Sequence, residues 1–76
     1  MIDSSFDIVF IDPPYKETKI NEILEVIYKR KILSSKGVII VHRHKRDNLR
    51  LYNKINFFEE RIYGNSKIFF GNIKLF

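Results

Sequence analysis

The segment FDIVFI at 6–11, closed by Asp12-Pro13-Pro14, constrains this chain more than any other feature. Apart from Asp7 it is apolar at every position, so both faces of a strand built from it would be buried. Strands of that kind occupy the middle of parallel sheets, where helices cover both sides. Two consecutive prolines remove two ladder donors and end the strand. The chain beyond Pro14 must therefore leave the sheet.

The connection reads as a helix. Ile20, Ile23, Leu24 and Ile27 follow the i, i+3, i+4, i+7 spacing of one apolar stripe, and all four are expected in the core. Glu17 and Glu22 lie near its start and Lys29, Arg30 and Lys31 near its end, which complements the helix dipole. Ser34-Ser35-Lys36-Gly37 reads as a turn, and VIIV at 38–41 as a second buried strand. Strand, helix and strand in that order predict a right-handed parallel crossover. A charged connection is expected over 42–47 and a short helical turn over 49–55. Segments 57–63 and 67–73 flank Gly64-Asn65-Ser66 and read as a closing β-hairpin. The expected fold class is α/β, with about four strands in a partial, Rossmann-like open sheet.

Composition excludes several functions. No apolar run approaches the roughly 20 residues that span a bilayer, and no secretory leader is recognisable. There are no cysteines, so disulfide staples and thiolate metal sites are excluded, consistent with a cytoplasmic protein. His42 and His44 lack an organised acidic partner in the sequence and do not read as a metal pair. The net charge of +5 suits a polyanionic partner. His42-Arg43-His44-Lys45-Arg46 would follow the second strand, with Arg43 and Lys45 as candidate phosphate contacts and a solvated basic loop as the alternative. Phe57, Phe58, Phe69 and Phe70 are read as core packing in preference to base stacking.

Asp12-Pro13-Pro14-Tyr15 carries the chemistry. Ligands of open α/β sheets bind outside the carboxyl ends of the strands, where this tetrapeptide falls. An exocyclic amine of a nucleobase is a poor nucleophile because its lone pair is delocalised into the ring. Two acceptors aimed at its N–H bonds favour pyramidal nitrogen and stabilise the positive charge that develops as it attacks. The Asp12 carboxylate and the Pro13 carbonyl are candidates for those acceptors. The prolines, Pro13 and Pro14, stiffen the loop. Tyr15 offers a face on which a base can stack. The competing reading is a strand-terminating turn with a half-buried tyrosine.

FDIVFIDPPY at 6–15 resembles the fourth motif of class I amino-methyltransferases. It is most similar to the RsmD family of 16S rRNA guanine-N2 methyltransferases, and the likeness runs on through Gly37, the VIIV strand and Tyr63-Gly64-Asn65-Ser66. The resemblance implies S-adenosylmethionine as cofactor, ribosomal RNA or a small-subunit assembly intermediate as partner, and Asp12, Pro13 and Tyr15 as the residues that hold the guanine. Adenine-N6 and glutamine-N5 enzymes use close variants of the motif. A fragment of a DNA adenine-N6 methyltransferase and an inactive remnant with an RNA-binding or structural role therefore remain as alternatives. Two departures from the family pattern stand out. The glycine-rich cofactor loop, the acidic ribose ligand and the adenine-contacting stretch are absent, and Gly37, Gly64 and Gly71 form no Gly-x-Gly. His42 also stands where the family often carries an acidic residue. Residues 1–76 are thus expected to be the C-terminal half of one methyltransferase domain, with FDIVFI as an open edge and little affinity for cofactor on its own.

Overall fold

A computed structural model describes residues 6–12, 19–47 and 50–74. Strand β1 (Phe6–Ile11) leads to helix α1 (Ile20–Lys29), then β2 (Leu33–His44), β3 (Ile55–Tyr63) and β4 (Ser66–Ile73). The strands form a four-stranded sheet in the order β1-β2-β4-β3. β1 and β2 are parallel, and β4 is antiparallel to both β2 and β3. The sheet is thus an α/β crossover extended by a hairpin, as the sequence implied.

Register assigns the two faces. Val9 pairs with Ile39 and Ile11 with Val41, while Val41 pairs with Phe69 and Ile39 with Gly71. On this face Ile11, Ile39, Val41, Leu33 and Ile55 form one buried cluster with Ile20, Leu24 and Ile27 of α1. Each such fully buried aliphatic side chain contributes about 1.5–3 kcal/mol. Ile23 departs from expectation: it is exposed, because α1 turns only its Ile20–Leu24–Ile27 stripe to the sheet. Glu22 lies in the first turn of α1 and Lys29 in the last, where Lys29 pairs with Glu25 at 2.8 Å. Lys31, with φ of 55°, turns the chain out of the helix. Glu17 lies outside the described residues.

The expected turn at Ser34-Ser35-Lys36-Gly37 is instead part of β2, which starts at Leu33. The sequence signal had a real source. Phe6 is opposite Leu33 and Ile8 opposite Val38, so β2 spends extra residues there as an irregular bulge. Ser34 closes it by donating to the Asp7 carboxylate at 3.0 Å. Gly37 is required at the narrowest point, where a Cβ would meet the Asp7 carbonyl oxygen at 2.9 Å and that of Phe6 at 3.0 Å. The expected charged connection over 42–47 is likewise shortened, since β2 continues through His44 and the turn comes at Lys45 and Arg46.

No helical turn forms over residues 50–54, contrary to expectation. Leu51 and Tyr52 pack against the core instead, with Tyr52 edge-on to Tyr28 at 6.0 Å, and Asn21 donates to the Arg50 carbonyl at 2.8 Å. Burial of these side chains outweighs weak local helix propensity. The hairpin forms as expected around Gly64-Asn65. Gly64 has φ of +55°, and Tyr63 pairs with Ser66 across it. Glycine as the first central residue fits the tight two-residue turn.

The phenylalanines divide. Phe57 and Phe69 meet edge to face at 5.9 Å and join the core margin. Phe58 is exposed because it is the extra residue of a bulge between the Phe57–Gly71 and Glu59–Phe70 pairs. Phe70 pairs with Ile40 on the face that α1 does not cover.

Candidate active site at the carboxyl end of the parallel strands

Parallel strands of equal reach bring their last residues together. Ile11 is opposite Val41, so the next residues, Asp12 and His42, emerge side by side on the face away from α1. His42 Nδ1 lies 2.7 Å from Asp12 Oδ1, and His42 Nε2 lies 2.8 Å from Ser66 Oγ. An ionised carboxylate can only accept, so Nδ1–H donates to Asp12. A neutral ring then accepts the Ser66 hydroxyl proton at Nε2. One imidazole thereby ties the end of β1 to the start of β4. The Asp12 side chain remains 55% exposed while His42 is 33% exposed, so the carboxylate is both anchored and accessible.

The basic stretch beyond β2 is also organised. Arg43 faces the α1 side, is buried, and donates through Nε and a terminal guanidinium nitrogen to Asp47 Oδ2. Lys67 donates to the Asp47 carbonyl at 3.3 Å and lies over the Phe69 ring. The backbone N–H of Lys45 donates to the Asn65 carbonyl at 2.8 Å, which pins the basic turn to the hairpin turn. The Lys45 and Arg46 side chains are exposed there. Of the two candidate phosphate ligands, Lys45 therefore presents an open cation, whereas Arg43 is engaged in holding the turn.

Two surface cations have raised pKa values: Lys29 through its hydrogen bond to Glu25, and Arg61 through hydrogen bonds first to Tyr63 and then to Glu59. Pro13, Pro14 and Tyr15 lie outside the described residues. Sequence reading singled out Asp12 but missed the role of His42 and did not single out Ser66. Laying FDIVFID against GVIIVH, apolar run against apolar run, would have set Asp12 beside His42. Ser66 had no comparable signal.

Among the described residues there is no glycine-rich loop of the kind that holds an adenosyl cofactor. The three glycines are all committed: Gly37 between β1 and β2, Gly64 in the hairpin turn, and Gly71 beneath Phe57 and Ile55. No group of three or more His, Asp or Glu residues fit to hold a metal ion occurs among the described residues. No helix among them is long and apolar enough to cross a membrane.

A parallel βαβ unit with a carboxylate held at its strand end has the local geometry at which open α/β sheets bind their ligands. The chain belongs to the conserved hypothetical protein 95 family, the RsmD-like family, whose pattern matches residues 2–72. It is 31% identical over 68 residues to a protein of Rickettsia prowazekii (strain Madrid E) named uncharacterized methylase RP545; the match takes in 90% of this chain and 29% of that one. A conserved hypothetical protein of Streptococcus pyogenes shares the fold with a TM-score of 0.77 and 31% identity, over 93% of this chain and 46% of that one. The fold is also that of Haemophilus influenzae HI0767, with a TM-score of 0.72 and 22% identity over 90% of this chain and 43% of that one. The chain thus spans less than half the length of these relatives.

Proposed function

We propose that this chain is the substrate-holding, C-terminal half of a methyltransferase domain. The domain would act in the cytoplasm on an exocyclic amine of a nucleobase, guanine N2 of 16S ribosomal RNA. The observation that carries this reading is Asp12, fixed at the carboxyl end of β1 by His42 and still half exposed. With one oxygen engaged by His42, Asp12 has acceptor capacity left for an N–H of the incoming amine. That contact, with the Pro13 carbonyl as second acceptor, favours a pyramidal nitrogen and stabilises its developing charge. Tyr15 and Pro14 would bound the base, and Lys45 would hold backbone phosphate without reading sequence. S-adenosylmethionine is the methyl donor that the family implies. Because the described residues include no glycine-rich cofactor loop, we assign the main part of its binding to the other half of the domain.

The resemblance to the RsmD family and the methylase name of the Rickettsia relative support the reaction class. The ribosomal substrate rests on the family resemblance. Mass-spectrometric mapping of 16S rRNA from cells with and without the intact gene tests it. Loss of a single N2-methylguanosine is expected; unchanged rRNA together with lost N6-methyladenine in DNA would overturn the assignment.

A further inference from the structure

Asp12 is not alone at its end of the sheet. Strand pairing sets His42 opposite Ile68 and Ile68 opposite Arg61; one step further along, His44 is opposite Ser66 and Ser66 opposite Tyr63. Paired residues share a face, so Asp12, His42, His44, Ser66, Arg61 and Tyr63 all lie on the side away from α1. Tyr63 is 58% exposed there. Arg61 hydrogen-bonds to Tyr63, and Glu59 engages the same guanidinium. The ring is therefore held at its polar end while its apolar body meets solvent.

The basic turn after β2 lies against this hairpin. The Lys45 N–H bond to the Asn65 carbonyl joins the two turns, and the Arg46 N–H donates to His44 Nδ1 at 3.1 Å. These bonds fix the exposed cations Lys45 and Arg46 beside Tyr63. The His42–Ser66 contact ties the same hairpin to Asp12. Acidic side chains on these elements do not oppose an anion: Glu59 is paired with Arg61, Asp47 with Arg43, and Glu60 lies on the α1 side opposite Phe69.

We propose that Tyr63, Lys45 and Arg46 form a track for single-stranded RNA, on which a base flanking the target stacks while the target sits at Asp12. The proposal rests on the reading of Asp12 as the holder of a nucleobase amine. An aromatic face reaches a base only when that base is unpaired and splayed from its neighbours, so a duplex does not fit. Stacking accepts any base, and the two cations hold phosphates without reading sequence. β2 and β4 separate β1 from β3, which sets Tyr63 about 14 Å from Asp12 across the sheet. At about 3.4 Å per stacked nucleotide, the base on Tyr63 is a few nucleotides from the target. The track thus requires an unpaired stretch around the target, not one flipped base alone.

The test measures binding of the intact 76-residue chain to a short labelled RNA without self-pairing, and to the same sequence as a duplex. Fluorescence anisotropy is read across a salt series. The single strand is expected to bind about 10-fold more tightly than the duplex. Tyr63→Ala is expected to weaken single-strand binding about 10-fold, whereas Tyr63→Trp, which keeps a stacking face, binds like the wild type. Lys45→Ala with Arg46→Ala is expected to flatten the logarithmic salt slope by about 1.4, the loss of two phosphate contacts. Lys29→Ala with Arg30→Ala removes the same charge at the opposite end of the sheet and is expected to leave the slope unchanged. No binding of the single strand, equal affinity for the duplex, or wild-type affinity in Tyr63→Ala would overturn the proposal. So would equal flattening by both lysine–arginine pairs, which would mean diffuse attraction to a chain of charge +5. Methylation is read separately in the complete domain. Single-strand binding through Tyr63 without methyl transfer supports the track while counting against the proposed reaction. Methylation of RNA at the wild-type rate by a Tyr63→Ala domain overturns the track and leaves the reaction standing.

Discussion

Asp12 is positioned by a residue 30 places later in the chain, and that residue is in turn held by Ser66. Replacing His42 with Phe keeps a ring but removes both hydrogen bonds. In the complete domain kcat is expected to fall by as much as about 100-fold, with RNA affinity nearly unchanged, because the acceptor is misaimed rather than lost. His42→Asn keeps a donor near the Nδ1 position and is expected to recover part of that loss. Equal activity in wild type and His42→Phe would show that the histidine does not position the acceptor. Gly37 is constrained for a different reason: the Asp7 and Phe6 carbonyls leave no room for a Cβ. Gly37→Ala is expected to cost about 1–3 kcal/mol in urea unfolding, since backbone must shift to admit one methyl group.

The elements show where sequence is informative. β1, α1 and the hairpin were legible because each carries a strong local signal: an unbroken apolar run, a 3.6-residue stripe, and Gly-Asn between β-rich segments. The start of β2 was not legible. Ser34-Ser35-Lys36-Gly37 has the composition of a turn, and a bulge against β1 uses the same residues. Nor was Arg43 legible as a structural residue; its partner Asp47 is four positions on and needs the bend after His44 to reach it. Helical periodicity placed Ile23 and Leu24 together in the core, yet one is exposed and the other fully buried. Leu24→Ala is expected to cost about 2–5 kcal/mol. Ile23→Ala should cost less than about 1 kcal/mol. Chemical denaturation of the two variants decides whether the stripe was placed correctly.

At the scale of the whole molecule, the described residues set Asp12 at the end of β1 and leave an apolar sheet face exposed beside it. A domain of this size buries about 60% of its unfolded surface, so leaving Ile8 and Phe10 uncovered is a substantial sacrifice of stability. Calorimetric titration of this chain alone with S-adenosylmethionine is expected to give no measurable heat of binding, and clear micromolar affinity would show that the described residues hold the cofactor after all. In the proposed reaction Asp12 holds the reacting amine. The most direct measurement is methyl incorporation into 16S rRNA by the complete domain carrying Asp12→Ala, with RNA affinity measured on the same preparation. Loss of methylation with RNA binding retained is the predicted result; methylation at the wild-type rate would contradict it.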